Sequence, residues 1–143
     1  MEKQIVLTRK MLSAKYLKYN ELYFDSELPD AVRFYYIDSN NPIAIAGEGT
    51  IALSKRVNWT ETLLKDVMVH EMIHLLMYKR YGIKVGRHIG HGKEFQTIMD
   101  EMNNKFDLGM TLYLTKEVRK GYLKSKYRDM SKWALFKEWL FGN

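Results

Sequence analysis

Apolar residues first fall at helical spacing between Thr8 and Phe24, where Met11, Leu12, Tyr16, Tyr19, Leu22 and Tyr23 alternate with lysines, and a helix is predicted there. The stretch DSELPD ends it, because the residue before Pro29 is steered away from the helical region. VRFYYI, from Val32 to Ile37, is rich in β-branched and aromatic residues and predicts a strand. After the turn DSNNP, the segment Ile43–Ser54 predicts two short strands around Gly47 and Gly49. A second helix opens at Thr60, capped by Asn58 or Thr60, and carries Leu63, Leu64, Val67, Met68, Met72, Ile73 and Leu76 as far as about Arg80, with Gly82 as its stop. A glycine-rich loop follows, GIKVGRHIGHG, and then a third helix from Lys93 to about Phe106 with Phe95, Ile98, Met99 and Met102 on one side. MTLYLT (Met110 to Thr115) alternates and is predicted as a strand. In SKWALFKEWLF, residues Trp133, Phe136, Trp139 and Leu140 predict one side of a short terminal helix. The order of elements fits an α+β domain in which a small antiparallel or mixed sheet packs on helices.

The second helix breaks its own pattern. Its most apolar run, VMVHEMIHLL, encloses His70, Glu71 and His74. Positions four apart on a helix project from one face on successive turns, so the imidazoles of His70 and His74 can reach a common ion. Glu71 lies about 100° further round the axis, near enough to touch a water on that ion without ligating it. This is the H-E-x-x-H arrangement of two ligands and a general base. Without a counter-ion, burying such a set costs several kcal/mol, and a divalent cation removes the conflict. A catalytic zinc takes three protein ligands and keeps one position open. The preferred third ligand is His91, which sits directly before the next helix between Gly90 and Gly92; Glu94 and Glu101 are rivals. Histidine ligands also suit manganese, cobalt and iron, and zinc, one ion per chain, is the default expectation.

Composition narrows the class. The 143 residues are 46% hydrophobic and 28% charged, as in an ordinary folded domain. No run approaches the roughly 20 apolar residues of a membrane span. The first twenty residues show no apolar core of a signal peptide, so a cytoplasmic location and no membrane partner are expected. The absence of cysteine excludes disulfides, thiolate metal sites and cysteine nucleophiles within these residues. The net charge of +6 is uneven: residues 1–115 carry a net +1 and residues 116–143 a net +5. A basic segment on a near-neutral body points to a polyanionic partner. Lys124, Lys126, Arg128 and Lys132 are candidates for phosphate contacts, with Tyr122, Tyr127 or Trp133 stacking on bases of single-stranded or double-stranded DNA. The competing reading is that the aromatic residues pack the tail on the core and the lysines form its solvated face. A monomer is expected.

The segment from His70 to Asn103 resembles the metallopeptidase domain of the SprT-like (Spartan-type) family. That family shows a His-Glu-x-x-His helix followed by Gly-His-Gly-x-x-Phe, matched here by Gly90, His91, Gly92 and Phe95. More loosely, YNELYFDSELPD and AGEGTIALSKRVN are similar to the family's upstream segments. The resemblance covers residues 12–115 and implies a zincin-like single domain with a core over 1–115, followed by a basic aromatic extension over 116–143. It implies zinc held by His70, His74 and His91, with Glu71 as general base. The implied activity is that of a zinc endopeptidase, a hydrolase of DNA-associated or DNA-crosslinked proteins acting in DNA–protein crosslink repair. Many family members follow the core with a cysteine-ligated zinc ribbon, and no such ribbon lies within these residues. The rival functions are a nucleic-acid-binding module braced by a structural metal, and a peptidase with no nucleic-acid role. Tyr113, His88 and Arg87 are the candidates for stabilising the oxyanion.

Overall fold

A computed structural model of the chain describes residues 2–82 and 91–128. Helix α1 (Arg9–Phe24) starts where the Thr8 side chain accepts the Met11 N–H and ends at Asp25, which adopts the left-handed conformation at φ 50°. The chain is then tied back to the helix it has left. Buried Asn20 accepts the Leu28 N–H at 3.1 Å and donates to the Leu28 carbonyl at 2.9 Å, and the Tyr16 hydroxyl donates to the Pro29 carbonyl at 2.5 Å. Replacing Asn20 with Ala leaves two buried backbone groups unpaired, and the expected cost is about 1–3 kcal/mol, readable as a shift in the denaturation midpoint at unchanged slope.

The sheet has three strands, β1 (Arg33–Ile37), β2 (Ala44–Gly47) and β3 (Thr50–Ser54), in the order β1-β3-β2. It is mixed: β3 runs parallel to β1 and antiparallel to β2. Gly49, at φ 70°, turns the β2–β3 hairpin in a conformation that a side chain disfavours. Helix α2 (Glu61–Tyr81) is capped by the Thr60 side chain, which accepts the Leu63 N–H, and stops at Gly82. It packs against β2 and against α3 (Lys93–Phe106). The core lies between these layers, where Leu12, Ile51, Leu53, Leu64, Met68, Met72, Ile73 and Phe95 are fully buried.

One sequence-based expectation fails after α3. Residues 110–115 do not form a strand. The alternation is real, since Met110, Leu112 and Leu114 turn inward and their neighbours outward, but among the described residues no strand pairs with it. The Asn103 side chain instead takes the Met110 N–H at 3.0 Å and donates to the Met110 carbonyl at 2.9 Å. The segment is therefore an irregular wall. Beyond it come two short helices that the apolar pattern did not suggest, α4 (Lys116–Tyr122) and α5 (Ser125–Arg128). Their signal is capping rather than periodicity: the Thr115 side chain accepts the Val118 N–H, Glu117 sits in the first turn, and Arg119 and Lys120 in the last.

Residues 116–128 fold back on the sheet. Asn58 donates its N–H to the Tyr122 carbonyl at 2.8 Å, and Lys124 donates to the Arg56 carbonyl at 2.7 Å. Leu123 is buried and bridges to Val57. Buried Arg56 donates to Asp38 at 2.5 Å and to the Asn40 side chain at 3.1 Å, and its guanidinium lies 4.5 Å from the Tyr127 ring. The expected terminal helix over Trp133 to Leu140 lies outside the described residues.

Candidate metal centre

Two elements build the site. Helix α2 presents His70 and His74 from one face, half-buried, and turns Glu71 inward to a position only 6% exposed. His91 arrives from the other side, directly before α3, and is held there by Gln96, whose side chain donates to the His91 carbonyl at 3.0 Å. The Nε2 atoms of His70 and His74 each lie 3.0 Å from His91 Nε2. Phe95, fully buried, floors the cluster, with its ring 5.0, 4.5 and 4.7 Å from those of His70, His74 and His91. Tyr113, largely exposed, meets the outer side of His91 at 4.8 Å between ring centroids.

The site opens into a cleft of about 550 Å³. It is lined by Asn41 to Ala46, by Gly109 to Leu114, and by the half-buried Asp66, Val67 and His70 of α2. Asp66 stands one turn before His70 and accepts the Gly109 N–H at 3.4 Å, which ties the irregular wall to α2.

The donor set can be tested against a divalent cation. Two nitrogens bound tetrahedrally at about 2.0–2.1 Å lie roughly 3.3 Å apart, close to the separations seen here. Three neutral imidazoles brought this near cannot satisfy all their lone pairs with one another's protons. Glu71 Oε2 is buried with no hydrogen-bond partner. Among the described residues, His70, His74 and His91 form a group able to hold a metal ion, and neither Glu94 nor Glu101, both exposed, joins it. A cation is what these groups lack, and they fit one.

Electrostatics point the same way. Burial pushes the Glu71 carboxyl up to about 8. Burial lowers His70 to about 4, helped by the neighbouring His91 and opposed by a hydrogen bond with the Thr111 backbone. Burial, then His70 and His91, lower His74 to about 3, and burial also lowers His91. The histidines are thus kept neutral, the form that ligates. The contact with Thr111 engages His70 in the way outer partners orient ligating histidines.

These shifts set a pH dependence for the metal-free chain. Unfolded, His70 and His74 take up protons below 6.5; folded, they refuse them until about 4 and about 3, so they add stability as pH rises between these limits. Glu71 acts oppositely: its folded carboxyl holds a proton up to about 8 and its unfolded one only to 4.5, so that stability is lost as pH rises through this window. With a chelator present, the wild-type chain should lose stability relative to Glu71→Gln as pH climbs from 5 to 8.5. Parallel melting curves across that range would contradict the assignment of the buried proton.

The sequence profile of the SprT-like family matches residues 12–117. The chain belongs to the SprT-like family. No curated protein matches the chain. The SprT-like match spans α1, the sheet, α2, His91, α3 and the irregular wall, and it ends at the start of α4.

The other sequence-predicted residues are scattered by comparison. Lys124, Lys126 and Arg128 are exposed at the α4–α5 end of this SprT-like chain, where Arg128 donates to the Leu123 carbonyl at 3.0 Å and Lys126 lies over the Tyr127 ring at 4.9 Å. Tyr127 packs under Arg56 and Tyr122 lines the cleft. Lys132, Trp133, Arg87 and His88 lie outside the described residues. Sequence reasoning missed Asp66, Gln96, Thr111 and Arg119. Asp66 was legible in principle, being four residues before His70 and so on its face. Gln96, in the first turn after His91, carried a weaker signal, and Thr111 acts through its backbone, which no side-chain pattern reveals. Among the described residues no helix is long and apolar enough to cross a membrane.

Proposed function

We propose that this SprT-like chain is a zinc-dependent endopeptidase built on a zincin-like His-Glu-x-x-His helix, acting on DNA-associated or DNA-crosslinked proteins. The observation that carries the reading is the convergence of three imidazole nitrogens beside a buried, unpartnered carboxylate. His70, His74 and His91 would hold the ion. When bound, a divalent cation supplies Lewis acidity to a carbonyl oxygen and acidity to a water. Glu71 takes the proton of the attacking water and returns it to the leaving amine. The cleft, lined by residues 41–46 and 109–114, is where an extended peptide would lie. Tyr113, beside His91, is the described residue best situated to donate to the oxyanion. Tyr113→Phe should lower kcat by roughly 10²-fold with little change in KM, in a steady-state assay on one peptide.

A metal that merely braced a nucleic-acid-binding module would have a fourth protein ligand, and among the described residues none joins the three histidines. The basic charge of residues 116–143 supports DNA as the partner that brings substrates in. Because residues 116–128 are packed on the core, the test is charge removal rather than deletion. Lys124→Gln with Lys126→Gln should lower affinity for single-stranded DNA several-fold and flatten its salt dependence by about two phosphate contacts. Unchanged binding and slope in both titrations would remove DNA from that surface.

A further inference from the structure

We propose that Arg119 reads a carboxylate of the bound peptide, making it a specificity-determining residue of the cleft. This rests on the endopeptidase reading. Arg119 lies two residues past the end of the family match. Helix α4 is fastened at both ends, by the Thr115 cap and by the Asn58–Tyr122 hydrogen bond, and this holds Arg119 against the cleft with Tyr122 beside it. Among the described residues lining the cleft, Arg119 is the only lysine or arginine. It is half-buried, and its guanidinium has no hydrogen bond, ion pair or ring contact with another described residue.

The two acidic residues of the cleft do not answer it. Among the described residues neither Glu71 nor Asp66 forms an ion pair with Arg119. The charge of Arg119 is therefore left for something that enters the cleft. A guanidinium forks onto a carboxylate through two parallel hydrogen bonds, a geometry that neutral amides do not match. Ile43, Leu114 and Tyr122 line the same cleft, and such apolar surface lowers the local dielectric and strengthens a pair of this kind. The carboxylate has two sources, a Glu or Asp side chain of the substrate or the free carboxyl of its C-terminal residue.

The test is peptide binding by the zinc-loaded Glu71→Gln chain, measured by fluorescence anisotropy, alongside cleavage of the same peptides by the wild type. The set moves a single Glu along a Gln-containing peptide, and repeats it with an amidated or a free C-terminus. One Glu position, or the free C-terminus, should bind roughly tenfold better than its neutral counterpart. Adding Arg119→Gln should level that ratio to within about twofold, and Arg119→Glu should reverse it in favour of Lys at the same position. Arg119→Lys should keep part of the preference. A merely structural role for Arg119 would not invert a charge preference. Equal binding of all peptides, or a preference that survives Arg119→Gln, overturns the proposal. So does an Arg119→Gln variant that loses DNA affinity while peptide selectivity persists. Selective binding without any cleavage by the wild type would sustain the proposal while defeating the endopeptidase reading. Cleavage without charge selectivity would do the reverse, and an absence of both binding and cleavage would defeat both.

Discussion

Glu71→Gln is expected to lower the rate of peptide hydrolysis by about 10³-fold or more while leaving one metal ion per chain. The substitution keeps shape and volume in a position that is 6% exposed, so the packing of the buried side of α2 should survive. What it removes is basicity. A carboxylate one residue after His70 projects about 100° away from the ligand face, so it can reach a water on the ion without entering the ligand set. The orphaned Oε2 has no described structural partner to lose. Metal content and turnover should therefore separate cleanly, as they would not if Glu71 were a ligand. A variant that still cleaves at the wild-type rate would contradict the assigned base, and one that purifies without metal would show that Glu71 holds the ion.

Phe95→Ala is expected to be the most destabilising single change near the site, by about 3–5 kcal/mol, or roughly 10–15 °C in melting temperature for a chain of this size. Phe95 is fully buried and packs against all three imidazoles, so its removal opens a cavity under the three histidines. The loss should be larger than in a comparable core position with respect to metal. The rings of His70, His74 and His91 depend on that floor for their common orientation, and each retained rotamer that points elsewhere weakens the grip on the ion. Phe95→Leu fills most of the volume and should cost less than half as much, with metal retained. Thermal melts with and without added zinc measure both effects. If Phe95→Ala melts within a few degrees of wild type, the packing account of the site fails.

Both predictions draw on features that were legible in the sequence to different degrees. The placing of His70 and His74 on one face was readable, because a helix converts an i, i+4 interval directly into a shared face, and the apolar residues around them made their burial evident. The α+β class and the elements up to Phe106 followed from periodicity with end signals at Thr60 and Gly82, both of which the structure uses. The wall from Met110 to Leu114 was misread for a physical reason. Alternation reports which side chains are buried, not whether a neighbouring strand completes the hydrogen bonds, and here a single Asn103 side chain does so. Helix α4 escaped notice because it has no apolar stripe; Thr115 capping and the anchors from Asn58 and Arg56 hold it. Those anchors are long-range, and no local pattern encodes them. Arg119 was hidden for the same reason, since its place at the cleft depends on where the sheet fixes the end of its helix.

The most direct test of the account is X-ray absorption at the zinc edge on the purified, metal-loaded chain, with metal content measured on the same sample. The account predicts one ion per chain with three imidazole nitrogens at about 2.0–2.1 Å and at least one exchangeable oxygen, reduced to two nitrogens in His91→Ala. A spectrum fitted by four protein donors, or an unchanged spectrum in His91→Ala, would contradict it.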